Sequence, residues 1–182
     1  GSDDDGEKVV LRAHGGLAST LDFTEDIDAS PAYGDFGGEM SVLGGAIGLR
    51  DEEGLEQRLD FQQMTAEAGD LSITSGYACS TLSGSSEPAC AKFDTLTANT
   101  LSYLVIADID TTTLGVGVGL FGHTIGSTDY ELGYNYVLQM EFMPVDADWA
   151  KAGFALRLDF SPSSGGNQFT LLSLQWNGGF DF

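Results

Sequence analysis

Hydrophobic and polar positions alternate along most of the chain. Over residues 130–144, Tyr130, Leu132, Tyr134, Tyr136, Leu138, Met140 and Phe142 form one set, and Glu131, Gly133, Asn135, Val137, Gln139 and Glu141 form the other. A period of two with one aromatic-aliphatic face and one polar or small face predicts a β-strand whose sides meet unlike surroundings. Residues 149–160 repeat the pattern: Ala150, Ala152, Phe154, Leu156, Leu158 and Phe160 alternate with Lys151, Gly153, Ala155, Arg157 and Asp159. Residues 170–182 do so again, with Leu172, Leu174, Trp176, Phe180 and Phe182 opposite Ser173, Gln175 and Asn177.

Four further segments fit a strand less sharply. Residues 9–23 set Val9, Leu11, Leu17 and Phe23 against Arg12, His14 and Asp22. Residues 41–49 set Leu43, Ile47 and Leu49 against Val42, Gly44 and Gly48. Residues 114–122 set Leu114, Val116, Val118 and Leu120 against Gly115, Gly117, Gly119 and Phe121. Residues 55–68 set Leu59 and Phe61 against Arg58, Asp60 and Gln62, although Glu, Gln, Leu and Ala there also suit a helix. Residues 92–109 read as an eighth strand by composition, with ambiguous phase. The connections run long (24–39), short (51–54), long (67–91), short (110–112), medium (123–129), short (145–148) and medium (161–168). In an up-and-down arrangement every tight turn then falls at one end and every longer loop at the other. The chain reads as an acidic N-terminal tail, 1–8, and a single all-β domain, 9–182: an eight-stranded antiparallel up-and-down β-barrel.

Composition narrows the class. The chain carries 7 Lys+Arg against 28 Asp+Glu, a net charge of -21. That deficit of cations argues against nucleic-acid binding, which needs Lys and Arg at the phosphates. Charged residues make up 19% and apolar ones 42%, so the chain is not an acidic disordered polymer. No apolar run approaches the roughly 20 residues of a transmembrane helix. Residues 1–8 contain no apolar secretion-signal segment, which a mature exported protein has lost. Gly1-Ser2 fits a cloning remnant or a natural start equally well.

Alternation leaves open which face looks outward. A soluble barrel turns its apolar face inward around a core or one small ligand, with Tyr134, Tyr136, Phe154, Leu156 and Trp176 lining the cavity. A membrane barrel turns that face to lipid. Four features favour lipid. The strands are long, as a tilted crossing of about 9–11 residues requires. Aromatics such as Tyr130, Phe142, Trp149, Phe160, Trp176 and Phe180 gather toward strand ends, like interfacial girdles. Arg12, Arg58, Lys151 and Arg157 share the polar face with Asp60, Glu131, Glu141 and Asp159, and in a narrow lumen these charges can pair, Arg157 with Glu131 or Glu141 for example. The same face is rich in glycine, which lets a small interior fill without clash. On this arrangement Tyr134, Tyr136, Leu138, Phe154, Leu156, Leu174 and Trp176 face the membrane.

The chain resembles, in pattern, a small bacterial outer-membrane β-barrel of the OmpA/OmpX type. The resemblance rests most on residues 172–182, Leu-Ser-Leu-Gln-Trp-Asn-Gly-Gly-Phe-Asp-Phe, an alternating last strand that closes on Phe. It implies that Trp176, Phe180 and Phe182 form the signal read by the outer-membrane assembly machinery. It also implies periplasmic turns, extracellular loops, and outer-membrane lipid and lipopolysaccharide as surroundings. The acidic loops depart from the pattern, since basic residues often hold lipopolysaccharide phosphates in this class; divalent cations would have to bridge.

Candidate chemistry is sparse. Cys79 and Cys90 lie in one Ser-, Gly- and Pro-rich loop and read as a disulfide, which for a loop of about 12 residues stabilises by roughly 3 kcal/mol. His123, Ser127 and Glu131 have the residue types of a lipid-modifying outer-membrane hydrolase but match no established spacing, so histidines satisfied in the lumen or loops are the expectation and no catalytic residue is assigned. Asp-rich turns such as Asp51-Glu52-Glu53 and Asp146-Ala147-Asp148 lack the EF-hand series, so no metal site or cofactor is expected beyond weak calcium or magnesium binding on acidic loops. A structural or interaction role, or at most a small pore, follows as the expected function.

Overall fold

The computed structural model describes residues 6–27, 30–33, 40–67, 78–80, 89–91, 95–125, 130–164 and 167–182. Eight strands close into one ring: β1 (Lys8–Ile27), β3 (Met40–Arg50), β4 (Glu56–Glu67), β7 (Thr95–Ile109), β8 (Thr112–Ile125), β9 (Glu131–Ala147), β10 (Ala150–Ser164) and β11 (Asn167–Asp181). Each pairs antiparallel with its neighbours in the ring, and β11 pairs back onto β1. Closure leaves no strand edge among the eight. Three short strands belong to the loop end. β2 (Ser30–Tyr33) pairs with residues 24–27 of β1, and β5 (Ala78–Ser80) pairs with β6 (Ala89–Ala91).

Strand boundaries differ from the sequence expectation mainly at the loop end. Residues 24–27 and 30–33 form a ribbon rather than a plain connection. β8 runs on to Ile125, and β10 and β11 reach Ser164 and Asn167. Residues 56–67, with their helix-compatible composition, are a strand, because twelve residues pair continuously with β7 and ten of the same stretch pair with β3. Ladder bonds on both sides outweigh a few tenths of a kcal/mol per residue of helix propensity.

The register fixes the tilt. A hydrogen-bonded row leaves β3 at Arg50 and passes through Glu56, Ile106, Gly115, Gln139, Arg157, Ser173 and Ala18. It returns to β3 at Met40, ten residues nearer the loop end. A stagger of ten over eight strands corresponds to strands inclined by about 40° to the axis. Every row therefore climbs toward the loop end in the order β3, β4, β7, β8, β9.

The tight turns obey local chemistry. Gly54 has φ 86°, a left-handed conformation that glycine adopts without strain. Asp51 organises that turn, its Oδ1 accepting from the backbone N–H of Glu53 and of Leu55 at 3.0 and 2.8 Å. Asp110, at φ 54°, occupies the two-residue turn between β7 and β8, a position that Asp tolerates better than most residues.

The apolar face points outward. Tyr134 is 70% exposed and Leu138 and Trp176 are each 49% exposed; Tyr136, Phe154, Leu156 and Leu174 are also exposed. Arg157 is 0% exposed at the centre of the lumen. The soluble, ligand-filled alternative is thereby corrected: Tyr134, Tyr136, Phe154, Leu156 and Trp176 line the outer wall, and no cavity holds them. A polar interior inside a continuous apolar wall is the arrangement of a transmembrane barrel.

Candidate functional site

The inward side chains form two different fillings. From the turn end to mid-barrel the lumen holds an ion network. Arg12 Nη1 lies 2.6 Å from Asp181, and Arg50 joins Asp181 to Glu56 at 3.1 and 2.9 Å. Arg58 donates to Glu56 at 2.7 Å and to Glu141 at 2.6 Å, and Gln139 adds a bond to Glu141 at 2.5 Å. Above this, Arg157 donates to Asp60 at 2.5 Å and grips both oxygens of Asp159 at 2.9 and 3.0 Å. His14 Nε2 lies 2.9 Å from the second oxygen of Asp60. Gln62 and Asn135 each donate to Asp159, at 3.0 and 2.8 Å, and Gln175 donates to Gln62 at 3.1 Å.

Four arginines thus meet five carboxylates; the bonding is dense around Arg58 and Arg157, whereas Nε and Nη2 of Arg12 and Nε of Arg50 are buried without a hydrogen-bond partner. Charges out of water require such pairing, because removing one partner leaves the other buried and uncompensated. Backbone geometry makes room for it. A Cβ at Gly44 would strike the His14 ring and the Phe61 carbonyl, so only glycine there lets His14 lie against β3 and reach Asp60.

Toward the loop end the filling turns apolar. Ala18, Met40, Val42, Met64, Ala66, Leu96, Ala98, Phe121, Phe169 and Leu171 pack as one buried cluster. Phe121 and Phe169 stack with ring centroids 5.0 Å apart, and His123 meets Phe169 edge-on at 4.7 Å. This layer departs from the expected wholly polar lumen. Physically it is an apolar layer across the lumen, where an ion would have to shed its water without polar partners.

At the opposite end the lumen opens into a cavity of about 570 Å³ lined by residues that include Lys8, Arg50, Asp51, Asp146, Lys151 and Asp181. Among the described residues no group of three His, Cys, Asp or Glu is arranged to hold a metal ion.

No family model matches the chain, and no curated protein matches it. Among solved structures it is similar to Neisserial surface protein A, with a TM-score of 0.59, 12% identity, and 97% of each chain covered. The two share one barrel fold. The chain also aligns with the attachment invasion locus protein of Yersinia pestis, alone and with sucrose octasulfate, each at a TM-score of 0.47 and 10% identity over 98% of this chain and 99% of that one.

Within this fold the expected lumen residues do not all come together. Arg12, Arg58, Asp60, Glu141, Arg157 and Asp159 are buried in the network. Lys151 stands at the turn-end mouth, 2.5 Å from Asp146. Glu131 is exposed at the loop end, opposite His123 in register. The expected Arg157 pairings are corrected: its partners are Asp60 and Asp159, because Glu131 stands too near the loop end and Arg58 occupies Glu141. Sequence reasoning missed Arg50, Glu56 and Asp181 as network members, and His14, expected only as a histidine satisfied in the lumen or loops, joins the network through Asp60. Arg50 and Glu56 border a turn and Asp181 hides among aromatics, but each continues the inward period of its strand.

His123 is buried among the aromatics of the apolar layer, and Ser127 lies outside the described residues. The backbones of Cys79 and Cys90 stand directly opposite each other in the β5–β6 ribbon. Phe180 stacks on Trp149 at 6.1 Å near the chain's closing turn, with Phe182 beside it. Trp176, by contrast, sits mid-wall between Gly15 and Phe154.

Proposed function

We propose that the protein is a bacterial outer-membrane β-barrel with a structural or interaction role: a rigid, closed barrel that presents acidic loops outside the cell. One observation carries this reading. The outer wall is apolar, while the lumen is bridged by Arg157–Asp60 and crossed by the Met40–Met64–Phe121–Phe169 layer. Lipid satisfies such a wall, and such a lumen passes no large current. The tight turns then face the periplasm and the loop end faces outward. Membrane lipid is the immediate partner of the wall. Lipopolysaccharide phosphates meet acidic loops, a contact that divalent cations would bridge. Trp176, Phe180 and Phe182 serve as the assembly signal, and Cys79 and Cys90 form a disulfide in the largest loop.

The test is twofold. The folded chain should require detergent or lipid, migrate faster on a gel when unheated than when boiled, and give no stable large currents in planar bilayers. A monomer soluble in plain buffer would refute the membrane reading. Large steady currents would refute the closed lumen.

A further inference from the structure

The apolar wall is not of equal height around the ring. On β4 the outward positions are Gln57, Leu59, Phe61, Gln63 and Thr65, so only Leu59 and Phe61 are apolar between two exposed glutamines. On β9 the outward positions Phe142, Met140, Leu138, Tyr136, Tyr134 and Leu132 are all apolar and exposed. At the loop end the neighbours of β4 turn polar as well, with Ser41 on β3 and Asn99 and Thr97 on β7, whereas at the turn end Gln57 is flanked by apolar Leu49 and Val105.

The levels can be compared through the register. The row through Phe61 passes Leu101 and Leu120 and meets Tyr134 on β9. Rows climb ten residues in eight strands, so they climb about four residues in the three steps from β4 to β9. Leu138 therefore stands level with Phe61, Tyr136 with Gln63, and Phe142 with Gln57. At the two levels where β4 is polar, β9 is aromatic. Successive outward positions cover about 5 Å of membrane thickness at this tilt. The β4 wall is apolar over about 10 Å and the β9 wall over about 30 Å, against a usual band of about 25 Å. Near the turn end, Tyr103 donates its phenolic O–H to Gln57 at 2.7 Å on this same outer surface, which shows the amide held in the wall rather than folded away from it.

We propose that the bilayer is thinned from the loop end beside β4, with lipid headgroups and their water reaching down to Gln63 between Ser41 and Asn99, while it keeps full thickness beside β9. The occupant of the notch is lipid. Amides carry both donors and acceptors, which suit hydrated headgroups, and the described outer side chains of the notch carry no charge to select an ionic partner. A wall too short for its bilayer is met by local thinning at a modest cost per ångström. The inference rests on the membrane reading above.

The experiment uses the full chain in phosphatidylcholine vesicles. In a Trp149→Phe/Trp176→Phe background, Phe61→Trp and Leu138→Trp report depth by quenching with lipids brominated at defined positions. Shallow bromines should quench Phe61→Trp best and deep bromines Leu138→Trp, although the two side chains stand at one level. Equal depths would overturn the proposal. A second arm compares the wild type with Gln63→Leu. The ratio of folding rates in dilauroyl over dioleoyl vesicles should fall severalfold in the variant; an unchanged ratio would overturn it too. Crosslinking of the wild type into a dimer through β4 would also overturn it, since a second copy would then cover the notch. If no variant inserts into any vesicle, it is the membrane reading that fails.

Discussion

Arg157 on β10 and Asp60 on β4 meet across the full diameter of the barrel, Nη1 to Oδ1, at 2.5 Å. Four steps separate these strands either way around the ring. Gln62 and Asp159 span the same two strands at 3.0 Å. Opposite walls are therefore tied directly, and the tie is charged.

Replacing Arg157 with Met should destabilise the barrel by about 3–5 kcal/mol, because Asp60 and Asp159 remain buried without their cation. Asp60→Asn should cost less, since Asp159 still holds Arg157. Urea titration of the folded barrel, followed by tryptophan fluorescence, distinguishes them. Equal small losses would mean that water reaches the network.

Phe121→Ala opens space at the centre of the apolar layer and should lose about 3–5 kcal/mol, the usual range for a buried aromatic. The same titration measures it. A loss under 1 kcal/mol would place Phe121 in a compliant, solvent-filled part of the lumen.

Leu138→Arg puts a cation on the lipid-facing wall near mid-height and should lower stability in bilayers by about 2–4 kcal/mol. In a detergent micelle, which deforms around a charge, the loss should shrink. No difference between bilayer and micelle would contradict contact with acyl chains.

The backbone opposition of Cys79 and Cys90 predicts a cross-strand disulfide. The intact oxidised chain should weigh two hydrogens less than the reduced chain, and Cys79→Ser should abolish the difference. Alkylation of both thiols without prior reduction would exclude the bond.

Much of this architecture is readable from alternation alone. Tyr134 through Phe142 and Phe154 through Leu156 declare a two-faced strand because lipid and lumen demand opposite polarities at successive positions. Three features resisted. Residues 55–68 carried helix-forming side chains, and only long-range pairing with β3 and β7 decided them as strand. The apolar layer was hidden because Val42 and Phe121, apolar residues within an otherwise polar set, looked like noise on single strands. They gain meaning only when the stagger of the ring brings Met40, Met64, Phe121 and Phe169 to one level. The partners of Arg157 were misassigned for the same reason: closeness along the chain favoured Glu131 and Glu141, whereas the tilt carries Arg157 over to β4.

The ring is sealed where Val9 and Phe182 exchange backbone bonds, each N–H to the other's carbonyl at 2.9 Å. First and last strands are thus obligate neighbours, separated by nearly the whole polypeptide. No cylinder can exist on a partly made chain, and contacts so remote in sequence form slowly. Until the final strand arrives, β1 keeps one unpaired edge that any passing strand could extend.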